Sequence, residues 1–278
     1  MQKKKTLYVT DLDGTLLKSD KTLSSFTART INRLVKEGML ITYATARSLI
    51  SAQEVIKGLD VTLPVIVYNG AFILSANGKN RLSACLFTDR EKEEILTVMQ
   101  SGNVYPRVYA LQEGRERYSY LPEKLSDGTK AYLLSRKGDI RANPTVLSEL
   151  CLGEVYCFSC IDDYHKLFLV YEKLKEKYEA LLYRDPYTGD FWLEVLPRNA
   201  TKAMAVCKLK DILGCDEVVS FGDETNDLSM FASSDRAYAV AGANDALKKA
   251  ATACIGFCDE DGVAKFLLEE WENRFKNE

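Results

Sequence analysis

One stretch near the start of this chain decides its fold, namely Tyr8-Val9-Thr10-Asp11-Leu12-Asp13-Gly14-Thr15. The apolar residues before Asp11 predict a short buried strand, and Gly14 ends it, so that Asp11 and Asp13 follow the strand directly. In open α/β sheets, ligands bind just beyond the carboxyl ends of the strands. Two carboxylates this close repel each other unless a cation or a shared proton relieves the repulsion. The stretch therefore predicts a metal site, an acid–base pair or both.

The composition indicates an ordinary globular protein without nucleic-acid or membrane partners. The chain has 278 residues, of which 46% are hydrophobic and 28% charged, and its net charge is −3. This charge gives no electrostatic reason to expect nucleic acid, and no apolar run is long enough to span a membrane. The first apolar stretch ends at Asp11, too soon for a secretion signal, so we expect a cytoplasmic protein. The eight cysteines are accordingly expected to be reduced thiols of the core.

The order of the predicted elements indicates an α/β fold with an insert. Both ends of the chain alternate short apolar strands with helices, which is typical of a Rossmann-like, mostly parallel sheet. The middle instead mixes helices with alternating strands that have one exposed face, which indicates antiparallel α+β structure. We therefore predict a core formed by residues 1–83 and 196–278, with an inserted cap domain over residues 84–195. We expect the cap to set specificity and to exclude water by closing over the site.

Four positions at the ends of predicted elements carry groups suited to a single site. They are the pair Asp11 and Asp13, the strand-end residue Thr45, the helix-start residue Lys202, and the segment Gly222-Asp223-Glu224-Thr225-Asn226-Asp227. A lysine in the first turn of a helix is unfavourable unless an anion also lies there. Taken singly, each group could serve a turn, a cap or a solvated surface. Taken together, they predict a cation holder, an anion holder and a reactive carboxylate.

These segments resemble the four motifs of the haloacid dehalogenase superfamily, in the order given. The position of the insert between the second and third motifs resembles the Cof-type sugar-phosphatase branch. The chain also resembles this branch at Asn69-Gly70-Ala71 and at Asp261-Gly262-Val263-Ala264. The resemblance implies an α/β core, an α/β cap and a phosphatase. The chain departs from the family at Ala46 and Ala203, where glycine is usual. A left-handed Ala46 would cost about 1 kcal/mol, whereas Ala203 should be neutral or stabilising in a helix.

The resemblance also implies a mechanism. Asp11 would attack phosphorus to form an aspartyl-phosphate, and Asp13 would protonate the leaving alcohol and then activate water. Mg²⁺ would bind the Asp11 carboxylate, the Asp13 backbone carbonyl and Asp223. Asp227 would orient the metal or Lys202 without being one of the residues that bind the metal. Phosphoryl oxygens would be held by Leu12, Thr45, Ala46, Lys202 and Asn226, with Arg47 and Asn69 as possible substrate contacts.

Three functions remain open at the level of sequence. The first is a Mg²⁺-dependent phosphatase that acts on a small-molecule phosphate ester, such as a sugar phosphate. The second is a phosphomutase of the same superfamily, and the third is a non-catalytic sensor of phosphorylated metabolites. We expect a monomer or a weak homo-oligomer. One geometric expectation applies to the enzyme hypotheses: a tight bend at Leu12 must aim Asp11 and Asp13 at one phosphorus.

Overall fold

The computed structural model describes residues 4–185 and 188–276, which divide into two compact units. The first unit comprises Met1–Ala84 and Ala200–Glu278, and the second comprises Cys85–Asn199. The predicted roles of these two parts, a catalytic core and a cap, stay predictions. The α/β fold class expected from the sequence is confirmed.

The described residues form fourteen strands and nine α-helices. The strands are β1 (Thr6–Thr10), β2 (Leu40–Tyr43), β3 (Val65–Val67), β4 (Phe72–Leu74), β5 (Arg81–Ala84), β6 (Arg107–Gln112), β7 (Arg115–Tyr120), β8 (Ala142–Pro144), β9 (Glu154–Ile161), β10 (Glu179–Arg184), β11 (Phe191–Leu196), β12 (Glu217–Gly222), β13 (Arg236–Val240) and β14 (Ala253–Ile255). The helices are α1 (Ser25–Lys36), α2 (Leu49–Val55), α3 (Asp89–Ser101), α4 (Asp127–Ser135), α5 (Tyr164–Leu174), α6 (Lys202–Leu213), α7 (Leu228–Ala232), α8 (Asp245–Ala250) and α9 (Gly262–Lys276).

The first unit is built on a parallel five-stranded sheet in the order β14-β13-β12-β1-β2. Strand β1 lies between β12 and β2, and all five of its residues are buried, as expected for a strand covered on both faces. Strand β3 lies in a separate antiparallel sheet, β3-β4-β5, which meets the end of β2 through a bridge between Ala44 and Ile66. The carboxyl ends of β1 and β12 are therefore neighbours at the centre of the main sheet.

Helix α6 shows how local sequence positions a functional side chain. Thr201 caps the helix by accepting a hydrogen bond from the Met204 N–H, and Gly214 ends it in a left-handed conformation at φ 59°. The turn at Gly70 packs against the start of this helix, and a Cβ on Gly70 would lie 2.2 Å from the Thr201 carbonyl oxygen. Lys202 is therefore fixed in the first turn of α6, where the sequence predicted it.

The second unit is a six-stranded sheet in the order β10-β11-β9-β6-β7-β8, antiparallel except between β7 and β8. One face packs against α3 and α5 to form an apolar core that includes Met99, Phe158 and Leu167. The opposite face carries Arg107 and several aromatic rings, and Tyr132 of α4 packs on it. The predicted exposed face is wrong for β9, whose residues 155–161 are all buried because both of its faces are covered.

The cysteines agree only in part with the expectation of reduced core thiols. None of the eight forms a disulfide within the described residues, but only Cys157, Cys160 and Cys215 are buried, while Cys207 and Cys254 are exposed. Among the described residues, no helix has the length and apolarity that crossing a membrane requires.

Candidate active site

The site forms where β1 and β12 end side by side. Strand β1 pairs in parallel with β12, and the Asp11 N–H donates to the Phe221 carbonyl oxygen at 2.9 Å. Asp11 thus follows β1 directly, and Asp223 follows β12. Because the two strands run in the same direction, their carboxyl ends place these two aspartates at one edge of the sheet.

Three carboxylates meet at this edge. One carboxylate oxygen each from Asp11, Asp223 and Asp227 lies within 4.8 Å of the others. The Lys202 ammonium lies 2.8 Å from Asp11 Oδ1 and 2.7 Å from Asp227 Oδ1, and its side chain is only 1% exposed. Three carboxylates and one ammonium leave a net charge of −2 when all four groups are ionised. Asp11, Asp223, Asp227 and Lys202 will together be called the carboxylate cluster.

The pKa values reflect this excess of negative charge. Burial raises the pKa of Asp11 well above its ordinary value, and repulsion from Asp227 and Asp223 adds to the shift that Lys202 opposes. Burial, with repulsion from Asp227, raises the pKa of Asp223 to about 7. Burial alone would lower the pKa of Lys202, but Asp11 and Asp227 together raise it. A buried set of hard oxygen donors with uncompensated charge fits a divalent metal ion.

The turn after β1 shapes the carboxylate cluster. Residues 12–16 form a single helical turn in which Asp13 and Gly14 leave the helical conformation, with φ 69° at Gly14. A Cβ on Gly14 would lie 2.1 Å from Asp223 Oδ2, so both the backbone conformation and the space require glycine. The bend predicted at Leu12 is therefore spread over residues 12–14.

The Asp13 carboxylate lies outside the carboxylate cluster. Arg47 donates to both of its oxygens, from Nε at 2.6 Å and from Nη2 at 2.6 Å, in a bidentate ion pair. The Asp13 side chain is 39% exposed, in contrast to the buried Asp11. Arg47, named from the sequence as a possible substrate contact, pairs here with Asp13. The cluster also differs from the predicted metal set by including Asp227, while the Asp13 carbonyl stays a predicted ligand.

Thr45, Asn69 and Asn226 are linked by hydrogen bonds. The Thr45 carbonyl accepts from the Asn69 N–H at 2.9 Å, and Asn226 Nδ2 donates to Asn69 Oδ1 at 3.2 Å. One of the two N–H groups of the Asn226 amide is therefore used within the protein, and the predicted donation of the other to a phosphoryl oxygen stays a prediction. Asn226 Oδ1 is buried without a partner among the described residues. Asn69 adopts φ 52°, which asparagine tolerates.

Both departures from the usual glycines are accommodated without strain. Ala46 is absent from the positive-φ residues of the described chain, so the left-handed conformation considered for it does not occur. Ala203 lies in the first turn of α6. Neither alanine carries the backbone cost that a left-handed residue would.

The sequence of this chain matches one known protein family over most of its length. A sequence model of haloacid dehalogenase-like hydrolases matches residues 8–267. The chain belongs to this family. The match begins within β1 and includes the carboxylate cluster and α6, and the family expected from the sequence is confirmed.

Two curated relatives extend this comparison over nearly the whole chain. It is 29% identical over 280 residues to the Bacillus subtilis 5-amino-6-(5-phospho-D-ribitylamino)uracil phosphatase YitU, covering 97% of this chain and 98% of that protein. It is 26% identical over 270 residues to the HMP-PP phosphatase of Serratia proteamaculans, covering 94% and 93%. Because the relatives are named phosphatases of this hydrolase family, the prediction of an enzyme is confirmed as well.

Solved structures show the same fold. TM0651 from Thermotoga maritima superposes with a TM-score of 0.77 at 24% identity, over 95% of this chain and 97% of that chain. BT1666 from Bacteroides thetaiotaomicron superposes with a TM-score of 0.79 at 17% identity, over 95% and 94%. The fold is thus that of a haloacid dehalogenase-like hydrolase.

Two residues of this haloacid dehalogenase-like site were quoted in the sequence motifs without a role. Thr15 Oγ1 donates to Asp223 Oδ1 at 3.1 Å and orients that carboxylate. Gly222 leaves room for Asp227, since a Cβ there would lie 2.6 Å from Asp227 Oδ2. The role of Thr15 could have been predicted from a hydroxyl in the turn after Asp11. The role of Gly222 could not, because it depends on how closely the Asp227 side chain approaches the end of β12.

Proposed function

We propose that this haloacid dehalogenase-like hydrolase is a Mg²⁺-dependent phosphatase of small phosphorylated metabolites, such as sugar phosphates, acting through an aspartyl-phosphate on Asp11. The observation that carries the proposal is the carboxylate cluster, in which a buried nucleophilic carboxylate lies beside an excess of negative charge. A divalent cation relieves that excess, and a phosphate ester is the substrate class whose own charge makes such a cation necessary.

The donors of the site suit Mg²⁺. Asp11 and Asp223 would supply carboxylate oxygens, and the Asp13 backbone carbonyl a neutral oxygen. Asp227 is engaged by Lys202 at 2.7 Å and also accepts from the Asp223 N–H at 3.1 Å, so it orients the cluster. When bound, Mg²⁺ would neutralise repulsion between Asp11 and the phosphate.

Asp11 is suited to act as the nucleophile. Its Oδ1 is held by Lys202 at 2.8 Å, which restricts the side chain to one orientation. Burial leaves the ionised carboxylate poorly solvated, which raises the pKa of Asp11 and makes the carboxylate more reactive. The carboxylate attacks phosphorus, the bond to the leaving oxygen breaks, and the phosphoryl group becomes an acyl phosphate on Asp11. Water then attacks this phosphorus and restores the carboxylate.

Asp13 is suited to move the proton. It follows the nucleophile by two residues, and its partial exposure gives access to solvent. Asp13 donates a proton to the leaving alcohol and then accepts one from the attacking water. The two hydrogen bonds from Arg47 fix its carboxylate. Arg47 thereby acts as a positioning residue for Asp13.

The phosphoryl oxygens would be held by donors that the family motifs imply, among them Asn226 Nδ2. The buried hydroxyl of Thr45 and the Lys202 ammonium lie at the ends of their elements, as the family motifs imply. The backbone N–H groups of Leu12 and Ala46 complete the set. The ammonium of Lys202 already faces two carboxylates, so its contribution is to fix Asp11 and balance the bound phosphate.

Substrates of the relatives support the class of metabolite. The printed name of the Bacillus subtilis relative specifies a phosphorylated ribitylaminouracil, and that of the Serratia relative specifies HMP-PP. Both names support a small phosphorylated metabolite as the substrate of this chain. Cytoplasmic location and a monomeric or weakly oligomeric state stay predictions.

The test is a phosphatase screen with the full chain. Purified protein is incubated with a panel of metabolite phosphates, with excess Mg²⁺ or with EDTA, and inorganic phosphate is measured. We expect release that requires Mg²⁺, and Asp11→Asn should lower kcat by at least about 10⁴-fold. Asp60→Asn, at an exposed carboxylate, is the control that should retain activity. The proposal fails if no ester is hydrolysed or if Asp11→Asn turns over normally. Isomerised sugar phosphate without inorganic phosphate would indicate a phosphomutase.

A further inference from the structure

Within the described residues of the second unit, one buried positive charge forms no ion pair. Arg107, at the start of β6, is 0% exposed. Its Nη2 donates to Ser159 Oγ at 2.9 Å, but Nε and Nη1 have no hydrogen-bond acceptor. A fully buried guanidinium is costly unless its charge is paired and its donors are satisfied. The described residues therefore leave Arg107 incompletely compensated.

Aromatic rings enclose the faces of this guanidinium. Its central carbon lies 3.7 Å from the centroid of the Tyr132 ring and 4.9 Å from that of Trp192. Such contacts stabilise a cation through the negative faces of the rings. They do not satisfy N–H groups, which point outward in the plane of the guanidinium. The rings thus fix the orientation of Arg107 and leave two of its donors available.

Further donors without partners lie on the same face of the sheet. The Tyr118 hydroxyl and the Trp192 indole Nε1 are buried without a hydrogen-bond partner. The rings of both residues contact Tyr132, with centroids 6.5 Å and 5.5 Å away. This group, formed by Arg107, Tyr118, Tyr132 and Trp192, will be called the arginine–aromatic cluster. Because the unsatisfied nitrogens of Arg107 and Trp192 can only donate and the Tyr118 hydroxyl can also donate, their complement is an acceptor with several oxygens and a negative charge.

The nearby acid Glu194 does not supply that complement. Arg107 and Glu194 are both registered opposite Ser159, on strands either side of β9. Their backbones are therefore two strand spacings apart, about 10 Å. Arg107 forms no ion pair among the described residues. Burial raises the pKa of Glu194 to about 7, although Arg107 opposes the shift. Glu194 therefore interacts with Arg107 electrostatically but accepts no hydrogen bond from it, and Arg107 Nε and Nη1 stay without an acceptor among the described residues.

We propose that the arginine–aromatic cluster binds the carboxylate or phosphate group of a small molecule, with Arg107, Tyr118 and Trp192 as hydrogen-bond donors to its oxygens. The site lies within the second unit, and its existence does not depend on the proposed phosphatase activity. Two sources can supply this oxyanion: a second acidic group of the substrate, or a separate anionic metabolite.

Trp192 provides a direct probe of binding. The chain has two tryptophans, so Trp271→Phe leaves Trp192 as the only indole fluorophore. The full-length Trp271→Phe protein is titrated with malonate and, separately, with inorganic phosphate. We expect a saturable change in Trp192 emission with at least one of these anions. If ordered water already satisfies the donors, neither titration saturates and the proposal is overturned.

Variants on the two faces of the sheet test the assignment, each in the Trp271→Phe background. Arg107→Met should abolish the saturable change, and Tyr118→Phe should raise the Kd about tenfold, which corresponds to about 1.4 kcal/mol. Tyr178→Phe is the matched control, since its hydroxyl lies on the apolar-core side and donates to Glu94. Unchanged affinity in Arg107→Met overturns the proposal. If Arg107→Met does not fold, the comparison of Tyr118→Phe with Tyr178→Phe decides, and equal Kd values overturn it.

Steady-state kinetics then identify the source of the oxyanion. The wild-type protein and Arg107→Met are compared on 3-phosphoglycerate, which carries a carboxylate, and on glycerol 3-phosphate, which does not. If the substrate supplies the oxyanion, Arg107→Met lowers kcat/KM for 3-phosphoglycerate selectively. If a separate metabolite supplies it, malonate changes the rate on glycerol 3-phosphate in wild type only. Failure of phosphatase activity leaves the fluorescence result intact, so the two proposals fail separately.

Discussion

Two cations are almost completely buried in this protein, and their surroundings are opposite. Lys202, in the first unit, lies within 2.8 Å of two carboxylates, and a third carboxylate belongs to the same cluster. Arg107, in the second unit, has one hydroxyl acceptor, two aromatic rings and no ion pair among the described residues. The first surroundings hold an excess of negative charge, and the second leave two donor nitrogens of the cation without an acceptor among the described residues. Each imbalance indicates the kind of ligand that would relieve it: a metal cation at the first, an oxyanion at the second.

The largest expected effect separates the two cations by stability. Lys202→Met leaves Asp11 and Asp227 buried without their counter-charge, so the free energy of unfolding should fall by about 3–5 kcal/mol. Arg107→Met loses contacts with two rings but removes an unpaired buried charge, so its cost should stay below about 2 kcal/mol. Urea unfolding at pH 8 with EDTA measures both.

Lys210→Met provides the control on the same helix. Lys210 is partly exposed and lies 3.4 Å from Asp235, so its loss should change the free energy of unfolding by at most about 1 kcal/mol. An Arg107→Met variant that loses as much stability as Lys202→Met would contradict the comparison, because it would mean that Arg107 is fully compensated within the chain.

The next effect concerns pH. The pKa of Asp223 is raised from its ordinary value of 3.8 to about 7 in the folded protein. Between these values the folded state retains a proton that the unfolded state releases, so stability without metal should fall as pH rises from about 4 to 7. Asp223→Asn should therefore raise the free energy of unfolding in EDTA at pH 8 by about 1–2 kcal/mol, allowing for solvent screening.

Metal addition distinguishes the two units within the same pH range. Excess Mg²⁺ should raise Tm in the wild-type protein at pH 8, and Asp223→Asn should abolish most of that increase. Glu194, whose pKa is also raised to about 7 by burial, contributes a similar fall in stability that Mg²⁺ should leave unchanged. Glu194→Gln removes this second contribution. A Tm that rises with Mg²⁺ equally in Asp223→Asn would contradict the assignment of the metal to the carboxylate cluster.

The sequence predicted the first of these surroundings and missed the second for a physical reason. Asp11, Lys202 and Asp223 stand at the ends of strands or helices, and parallel topology brings such ends together. The motif order therefore sufficed to place them at one site. Arg107 begins an antiparallel strand, and its neighbours Ser159 and Trp192 come from strands whose register depends on long-range pairing. The sequence of each of these strands shows only that apolar and polar residues alternate. It does not show which residues of other strands lie opposite them.

Side-chain pairing was the other feature beyond the reach of the sequence. The Asp13 carboxylate was expected to face the same centre as Asp11, but it pairs with Arg47. This pairing depends on the conformation of the turn at Asp13 and Gly14, where residues leave the helical geometry. Motif spacing fixes which residues share a region, whereas the turn fixes which of them form hydrogen bonds.

Arg47 is a third cation, intermediate between the first two. It is partly buried and holds one carboxylate through two hydrogen bonds. Arg47→Lys keeps the charge but removes the bidentate geometry, so we expect kcat to fall about tenfold with little change in KM. Arg33→Lys, at an exposed pair with Glu37, is the control that should leave kcat unchanged. A change confined to KM would mean that Arg47 binds substrate and does not position Asp13.

The smallest expected effect tests the backbone of the first site. Ala46 replaces the glycine usual in the family, yet its φ is not positive, so glycine would relieve no strain there. Ala46→Gly should therefore leave kcat within about threefold and lower the free energy of unfolding by about 0.5–1 kcal/mol, through the greater freedom of the unfolded chain. Phosphatase assays and urea unfolding measure the two quantities. A several-fold rise in kcat would contradict this account, because it would require residue 46 to become left-handed during turnover. The Ala46 N–H would then reach the phosphoryl group only after the loop rearranges, and the first site would be less preorganised than its buried charges indicate.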